Sequence, residues 1–163
     1  MSFCLIILAG GNSHRFKSSI GKPYQKIAGK SLIEINTIKA RKFREIKKII
    51  LVYNKKDLKR VKSLKLKNIK LILGGKNRQQ STLNALKYLI NKKGTPKVLI
   101  HDAARPNFSI KLLGSILKKM KHARAVVPKV KVEDATKQII DSSKEEYIVG
   151  KERENLFLTQ TPQ

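Results

Sequence analysis

Val98-Leu99-Ile100-His101-Asp102-Ala103-Ala104-Arg105-Pro106 is the stretch on which the fold turns. A short apolar run passes straight into a charged, tightly turned loop. An aspartate at the carboxyl end of a buried strand is where an α/β enzyme places a metal ligand. An arginine three residues on offers a planar fork of donors suited to a phosphate. His101 reads as a structural histidine, because no serine or cysteine nucleophile is paired with it in any motif.

Working outward, short apolar runs alternate with helical stretches. Phe3–Leu8, Ile49–Tyr53, Ile69–Leu73, Lys97–Ile100 and Ala125–Pro128 read as strands. Ser31–Phe43, Lys56–Leu64, Gln79–Asn91 and Ser109–Met120 read as helices, with Ser109 as an N-cap. The helical faces are expected at Leu32, Ile35, Ile38 and Ala40, at Leu83, Leu86, Leu89 and Ile90, and at Leu113, Ile116, Leu117 and Met120. This alternation predicts an α/β protein with a mostly parallel sheet and helices on both faces. After Pro128 the pattern changes: Val130–Ile140 and Glu146–Val149 bracket a polar stretch and read as a hairpin.

The chain has 163 residues, enough for one domain with a core, and no apolar run long enough to span a membrane. One cysteine, Cys4, excludes an intrachain disulfide and, with three scattered histidines, a Cys/His metal cluster. A cytoplasmic location is the default expectation. The net charge of +26 raises the question of nucleic acid. The lysines are spread from Lys17 to Lys151, however, and aromatics make up only 6% of the chain, with no interleaved stacking pattern. A basic nucleic-acid-binding module is therefore the lesser reading. A positive field also draws in anionic small substrates.

The informative loops all follow strands. Ala9-Gly10-Gly11 lets backbone N–H groups approach a phosphate or base, with Arg15 and Lys22 following to neutralise a polyphosphate. It is neither a Walker loop nor a full G-x-G-x-x-G, and a plain turn is the alternative. Gly74-Gly75-Lys76-Asn77-Arg78 again places glycines before a helix N-terminus, with Ser81 in its first turn; a capping Ser81 and a solvated Arg78 are the alternative there. Asp102 and Arg105 complete the set, against a turn or capping aspartate. Three such loops on one edge suit attack by a substrate phosphate on the α-phosphate of a nucleoside triphosphate. That reaction needs Mg2+ and cationic groups more than a base. Asp102 is the candidate Mg2+ ligand; Arg15 and Lys22 are candidates for the α-phosphate and leaving pyrophosphate.

The set Leu-Ala-Gly-Gly-Asn-Ser-x-Arg-Phe, Gly-Gly-x-x-Arg-x-x-Ser, His-Asp-Ala-Ala-Arg-Pro and Gln-Thr-Pro-Gln, in this order, resembles the 2-C-methyl-D-erythritol 4-phosphate cytidylyltransferase family, from Phe3 to Gln163. The Ser-x-Arg-Phe form is similar to that of bifunctional members carrying a cyclodiphosphate synthase. The resemblance implies a Rossmann-like nucleotidyltransferase fold with a protruding β-hairpin arm at residues 130–158. It implies transfer of CMP from CTP to methylerythritol 4-phosphate, with Mg2+, in a homodimer. By position, Ala9, Gly10, Gly11, Gly75, Arg78, Ser81 and Ala103 would bind the nucleotide. Arg15 and Lys22 would be catalytic, and Asp102 would hold the metal. Arg105, Thr136 and Arg153 would bind the sugar-alcohol phosphate, Arg153 being delivered by the arm of the other subunit. Three departures stand out. Gly21-Lys22-Pro23-Tyr24 replaces Pro-Lys-Gln-Tyr; Asp134-Ala135-Thr136 displaces a hydroxyl by one residue; and the sequence stops at Gln-Thr-Pro-Gln, before a further catalytic lysine. The last departure implies a domain, residues 1–163, incomplete at its C-terminus and weakly active or inactive alone. Ribitol-5-phosphate cytidylyltransferase is the rival enzyme, against which Ala104 speaks; an inactive dimerising remnant is the rival outside catalysis.

Overall fold

In the computed structural model, the described residues are all except 12–19, 65, 91–96 and 143–144; of residues 139–142, 145–148 and 151 only the backbone is described. The strands are β1 (Phe3–Ala9), β2 (Lys26–Ile27), β3 (Lys30–Ser31), β4 (Ile46–Tyr53), β5 (Lys70–Leu73), β6 (Lys97–Asp102), β7 (Lys129–Lys131), β8 (Thr136–Ser142), β9 (Glu145–Lys151) and β10 (Phe157–Thr159). The helices are α1 (Leu32–Arg41), α2 (Leu58–Ser63), α3 (Arg78–Ile90) and α4 (Ile110–Lys119). Contacts divide the chain into two compact units. One comprises Met1–Val126 with Thr161–Gln163; the other is Val127–Gln160.

The first unit is built on a parallel sheet in the order β5-β4-β1-β6. Parallel strands need crossovers, and the helices supply them on both faces. Alternate residues of β1 therefore enter two cores. Phe3, Leu5, Ile7 and Ala9 face Ile33 and Ala40 of α1, Val61 of α2, and Leu113, Ile116 and Leu117 of α4. Cys4 and Ile6, with Ile50 and Val52, face Ala85 and Leu89 of α3. Fully burying a side chain of this size stabilises by about 1.5–3 kcal/mol. The mostly parallel sheet with two covered faces is as the sequence predicts.

Several local expectations are corrected. Ala125–Pro128 is not a strand; pairing starts at Lys129, after the proline that lacks an N–H to donate. The buried face of α1 is Leu32, Ile33, Asn36, Thr37 and Ala40, while Ile38 is 45% exposed. In α3 the buried residues are Ser81, Ala85 and Leu89, and Leu83 and Ile90 are exposed. Leu32, Ala40 and Leu89 are buried as expected, but small or polar residues, Asn36, Thr37, Ser81 and Ala85, share those faces where larger apolar ones were expected.

Within the second unit, β8 and β9 form an antiparallel hairpin, and β7 pairs with β10, Val130 lying opposite Leu158. This unit contains the 130–158 stretch expected as an arm.

Candidate active site

The carboxyl ends of β1, β4, β5 and β6 share one edge because the strands are parallel. Their loops enclose a cleft of about 1280 Å3. Ala9, Gly10 and Gly11 form its β1 wall, Asn54 and Lys55 its β4 wall, Gly74 to Arg78 with Ser81 its β5–α3 wall, and Asp102 to Arg105 its β6 wall; Lys22 and Pro23 close it.

The glycine walls meet by close backbone approach. The Gly74 N–H donates to Tyr53 O at 2.8 Å, and the Gly75 N–H to Ser81 Oγ at 3.0 Å. A Cβ on Gly74 would lie 3.2 Å from both Ser81 Oγ and Tyr53 O; one on Gly75 would fall 2.1 Å from Gln80 Cγ. The buried Ser81 therefore ties the glycine turn to α3. Capping is done instead by Asn77, whose Oδ1 accepts from the Gln80 N–H at 2.8 Å. Asn54, which sequence reasoning passed over, donates through Nδ2 to Gly10 O at 3.3 Å and so joins the β4 and β1 loops.

Lys22 opens a short 3-10 turn, Lys22–Tyr24, with Pro23 and Tyr24 buried beneath it. A proline in the first turn of a helix forfeits only an N–H that has no intrahelical partner, so the change beside Lys22 suits the loop. At the β6 wall, the Asp102 carboxylate lies between two guanidinium groups: Arg78 Nε is 3.2 Å from Oδ1, and Arg105 Nε is 3.2 Å from Oδ2. The Asp102 N–H donates to Thr161 Oγ1 at 3.3 Å. Gln163 pairs with Ile100 through two backbone bonds of 2.7 and 3.0 Å, so Thr161–Gln163 lies alongside β6. His101 is fully buried, with its ring edge-on to Phe108 at 4.7 Å. Burial pushes its pKa down to about 4, the adjacent Asp102 offsetting only part of this. It is neutral at pH 7 and faces the core, which fits the structural reading.

Of the residues singled out from sequence, Ala9, Gly10, Gly11, Lys22, Gly75, Arg78, Ser81, Asp102, Ala103 and Arg105 come together in this cleft. Arg15 lies outside the described residues. Thr136 and Arg153 belong to the second unit: Thr136 begins β8, and Arg153 Nη1 donates to Glu133 O at 3.0 Å. Lys55 and Lys76 line the cleft without having been foreseen. Exposed lysines in a chain with 37 basic residues carry no distinguishing sequence signal.

Among the described residues no three His, Cys, Asp or Glu side chains are grouped as a metal cage. Among the described residues Asp102 is the one carboxylate lining a cleft that otherwise bears Lys22, Lys55, Lys76, Arg78 and Arg105. This donor set fits Mg2+, which is commonly held by one or two carboxylates and by the phosphates of its substrate. The same five cations suit a polyphosphate.

Parallel sheet, glycine loops and a cationic cleft with one aspartate at the strand ends are the fold and site features of the nucleotidyltransferase class. The profile of the family described as "IspD: 2-C-methyl-D-erythritol 4-phosphate cytidylyltransferase" matches residues 3–163. The chain is 45% identical, over 163 residues, to the bifunctional enzyme IspD/IspF of Pelagibacter ubique, covering all of this chain and 43% of that protein. It is 39% identical to the 2-C-methyl-D-erythritol 4-phosphate cytidylyltransferase of Thermosipho melanesiensis, covering 97% of this chain and 70% of that one. The solved structure of the bifunctional IspDF from Campylobacter jejuni superposes with a TM-score of 0.77 at 29% identity, over 99% of this chain and 40% of its own. The chain belongs to the 2-C-methyl-D-erythritol 4-phosphate cytidylyltransferase family.

Proposed function

We propose that the chain carries the cytidylyltransferase activity of its family, joining CMP from CTP to methylerythritol 4-phosphate and releasing pyrophosphate. The single observation that carries this reading is the cleft itself, in which both glycine loops, Lys22 and the Asp102–Arg105 loop face one volume. A phosphate oxygen of the sugar alcohol attacks the α-phosphorus. The bond from that phosphorus to the bridging oxygen breaks, and the electron pair leaves with pyrophosphate. The attacking oxygen is already anionic, so no base is required, in keeping with the buried, neutral His101.

Catalysis then rests on charge placed where it develops. Lys22, held by the buried Pro23 and Tyr24, offsets charge on the α-phosphate and the leaving group, a role shared by Arg15 on the resemblance. Asp102 would hold Mg2+, which would supply positive charge to the phosphates. Releasing Asp102 from its two arginines frees the Arg78 and Arg105 forks for substrate: Arg78 with Ser81 and Gly75 for the nucleotide, Arg105 for the sugar phosphate. Ala9, Gly10, Gly11 and Ala103 offer backbone to the nucleotide. Arg153 and Thr136 approach the sugar phosphate from the arm of a second subunit, so the active form is a homodimer. Among the described residues no helix is long and apolar enough to cross a membrane. That and the charged substrates support a cytoplasmic setting.

The test is pyrophosphate release with CTP, Mg2+ and methylerythritol 4-phosphate, beside Asp102→Ala, with ribitol 5-phosphate as competitor. Release that needs both substrates and falls at least about a hundredfold in Asp102→Ala, as expected for loss of a metal ligand at a phosphoryl centre, supports the reading. Preference for ribitol 5-phosphate would move the chain to the rival substrate. Failure to bind CTP in calorimetry would overturn the reading.

A further inference from the structure

We infer that Asn36 and Lys39, both on α1, are positioning residues for the loop that carries Asp102 and Arg105. The inference rests on the cytidylyltransferase reading of the cleft, and goes beyond it in naming what holds the metal and phosphate groups in place.

The segment from Ala103 to Ser109 links β6 to α4 without regular structure. Its front side, Ala103 to Arg105, lines the cleft. Three of its carbonyls are instead engaged by α1. Asn36 Nδ2 donates to Ala103 O at 2.9 Å in the core. Lys39 Nζ donates to Pro106 O at 2.5 Å and to Phe108 O at 2.9 Å, and lies 5.0 Å from the centre of the Phe108 ring. Asn36 and Lys39 are one helical turn apart and so share a face. The Ala103 N–H is fixed too, donating to Leu8 O at 3.0 Å. Both ends of the loop are therefore held from behind, with Ala104 and Arg105 suspended between them.

The choice of residue supports a use. Asn36 is fully buried, and its Oδ1 has no hydrogen-bond partner among the described residues. An amide in the core with one acceptor unsatisfied is disfavoured against an apolar side chain. The bond to Ala103 O offsets that cost and is made to the residue next to Asp102. Lys39 gives up rotamer freedom and part of its hydration to reach two carbonyls 67 and 69 residues away. Neither side chain touches the cleft, so both act through the loop.

The test uses the whole chain with Lys39→Met, which keeps the apolar stem, Lys39→Arg, which keeps the charge, and Asn36→Ala. Hydrogen exchange of the substrate-free protein is expected to speed up about tenfold in peptides covering 103–109 in Lys39→Met and Asn36→Ala, in line with a lost bond to a charged or buried group. Peptides of β1 and β4 should be unchanged, and Lys39→Arg should lie near the unsubstituted chain. In turnover, Lys39→Met should raise KM for the sugar phosphate about tenfold and leave KM for CTP within about twofold. A merely structural role would instead lower kcat through the folded fraction and leave both KM values in place. Unchanged exchange at 103–109, or acceleration spread evenly over β1 and β4, would overturn the inference. Absence of turnover in the unsubstituted chain would count against the function proposed above, and the exchange comparison would still decide the role of α1.

Discussion

Tyr24 is 6% exposed, and its hydroxyl has no hydrogen-bond partner among the described residues. Desolvation, with Asp57 adding to it, pushes its ionisation above the ordinary tyrosine range. A buried hydroxyl without a partner carries its desolvation cost uncompensated. Tyr24→Phe is expected to stabilise the fold by about 1 kcal/mol at neutral pH while keeping the buried ring in the core. The pH dependence has a fixed sign. Because the folded tyrosine stays protonated after the unfolded one has begun to ionise, near its ordinary pKa of about 10, the native state binds more protons there, and stability is lost as pH rises. The advantage of Tyr24→Phe over the parent should therefore widen above about pH 10 in urea titrations, and a constant difference would refute this account. Gly75 shows the opposite constraint. A methyl group there overlaps Gln80 Cβ at 2.5 Å and approaches its backbone carbon at 3.1 Å. Gly75→Ala should push the glycine turn off α3 and weaken CTP binding about tenfold or more by calorimetry, with the thermal midpoint little changed. At this scale the sequence disclosed residues whose type announces chemistry at a strand end, such as Asp102 and Gly75. It was silent on Asn36, Lys39 and Asn54, whose partners lie 67, 67 to 69 and 44 residues away and exist only once the chain has folded.

At the level of elements, α1 is set by its first turn. Ser31 Oγ accepts from the Glu34 N–H at 3.2 Å, while the Glu34 carboxylate accepts from the Ser31 N–H at 2.8 Å and from its hydroxyl at 2.7 Å. This reciprocal cap satisfies orphan helix donors and places an acidic group at the positive end of the helix dipole. Ser31 is fully buried, so no water replaces it. Ser31→Ala should cost about 1–2 kcal/mol in urea denaturation, the upper part of the capping range, and Ser31→Thr should recover most of it. A cost within about 0.5 kcal/mol of zero, the usual effect of a surface substitution, would mean that the cap is redundant. Strands β1, β4 and β6 were legible because each contains a short run of branched apolar residues ending near a glycine, an asparagine or a charged residue. The inward faces of α1 and α3 were legible only in part: Leu32, Ala40 and Leu89 are buried as expected, but Asn36, Thr37, Ser81 and Ala85 share those faces. Apolar periodicity points to the widest hydrophobic stripe, whereas close approach to a sheet selects small side chains and those with a specific bond to make. Ala125–Pro128 misled for a related reason, since β-branched residues before a proline resemble a strand in composition but cannot carry a full ladder.

For the whole molecule, the formal charge of +26 acts against any association of identical chains, and especially at low salt, where repulsion reaches farther. A homodimer therefore needs a substantial apolar contact, and the second unit displays one. Val130 is 51% exposed and lies directly opposite Leu158, itself 57% exposed, so the two share one face of the β7–β10 pair. Facing cross-strand side chains present one continuous apolar surface, and burying it between two copies would return roughly 25 cal/mol for each Å2 removed from water. Sedimentation at physiological salt is expected to show a dimer that dissociates progressively as salt is lowered, the reverse of an assembly held by ion pairs. Leu158→Asp, which adds a buried unpaired charge to the contact, should give a monomer. That monomer should keep CTP affinity within about twofold, because the nucleotide draws on the glycine loops, yet lose affinity for the sugar phosphate at least about tenfold, because Arg153 of a second subunit no longer arrives. A Leu158→Asp protein that remains dimeric would show that the β7–β10 surface is not the contact, and a monomeric one with undiminished sugar phosphate binding would show that the site is complete within one chain.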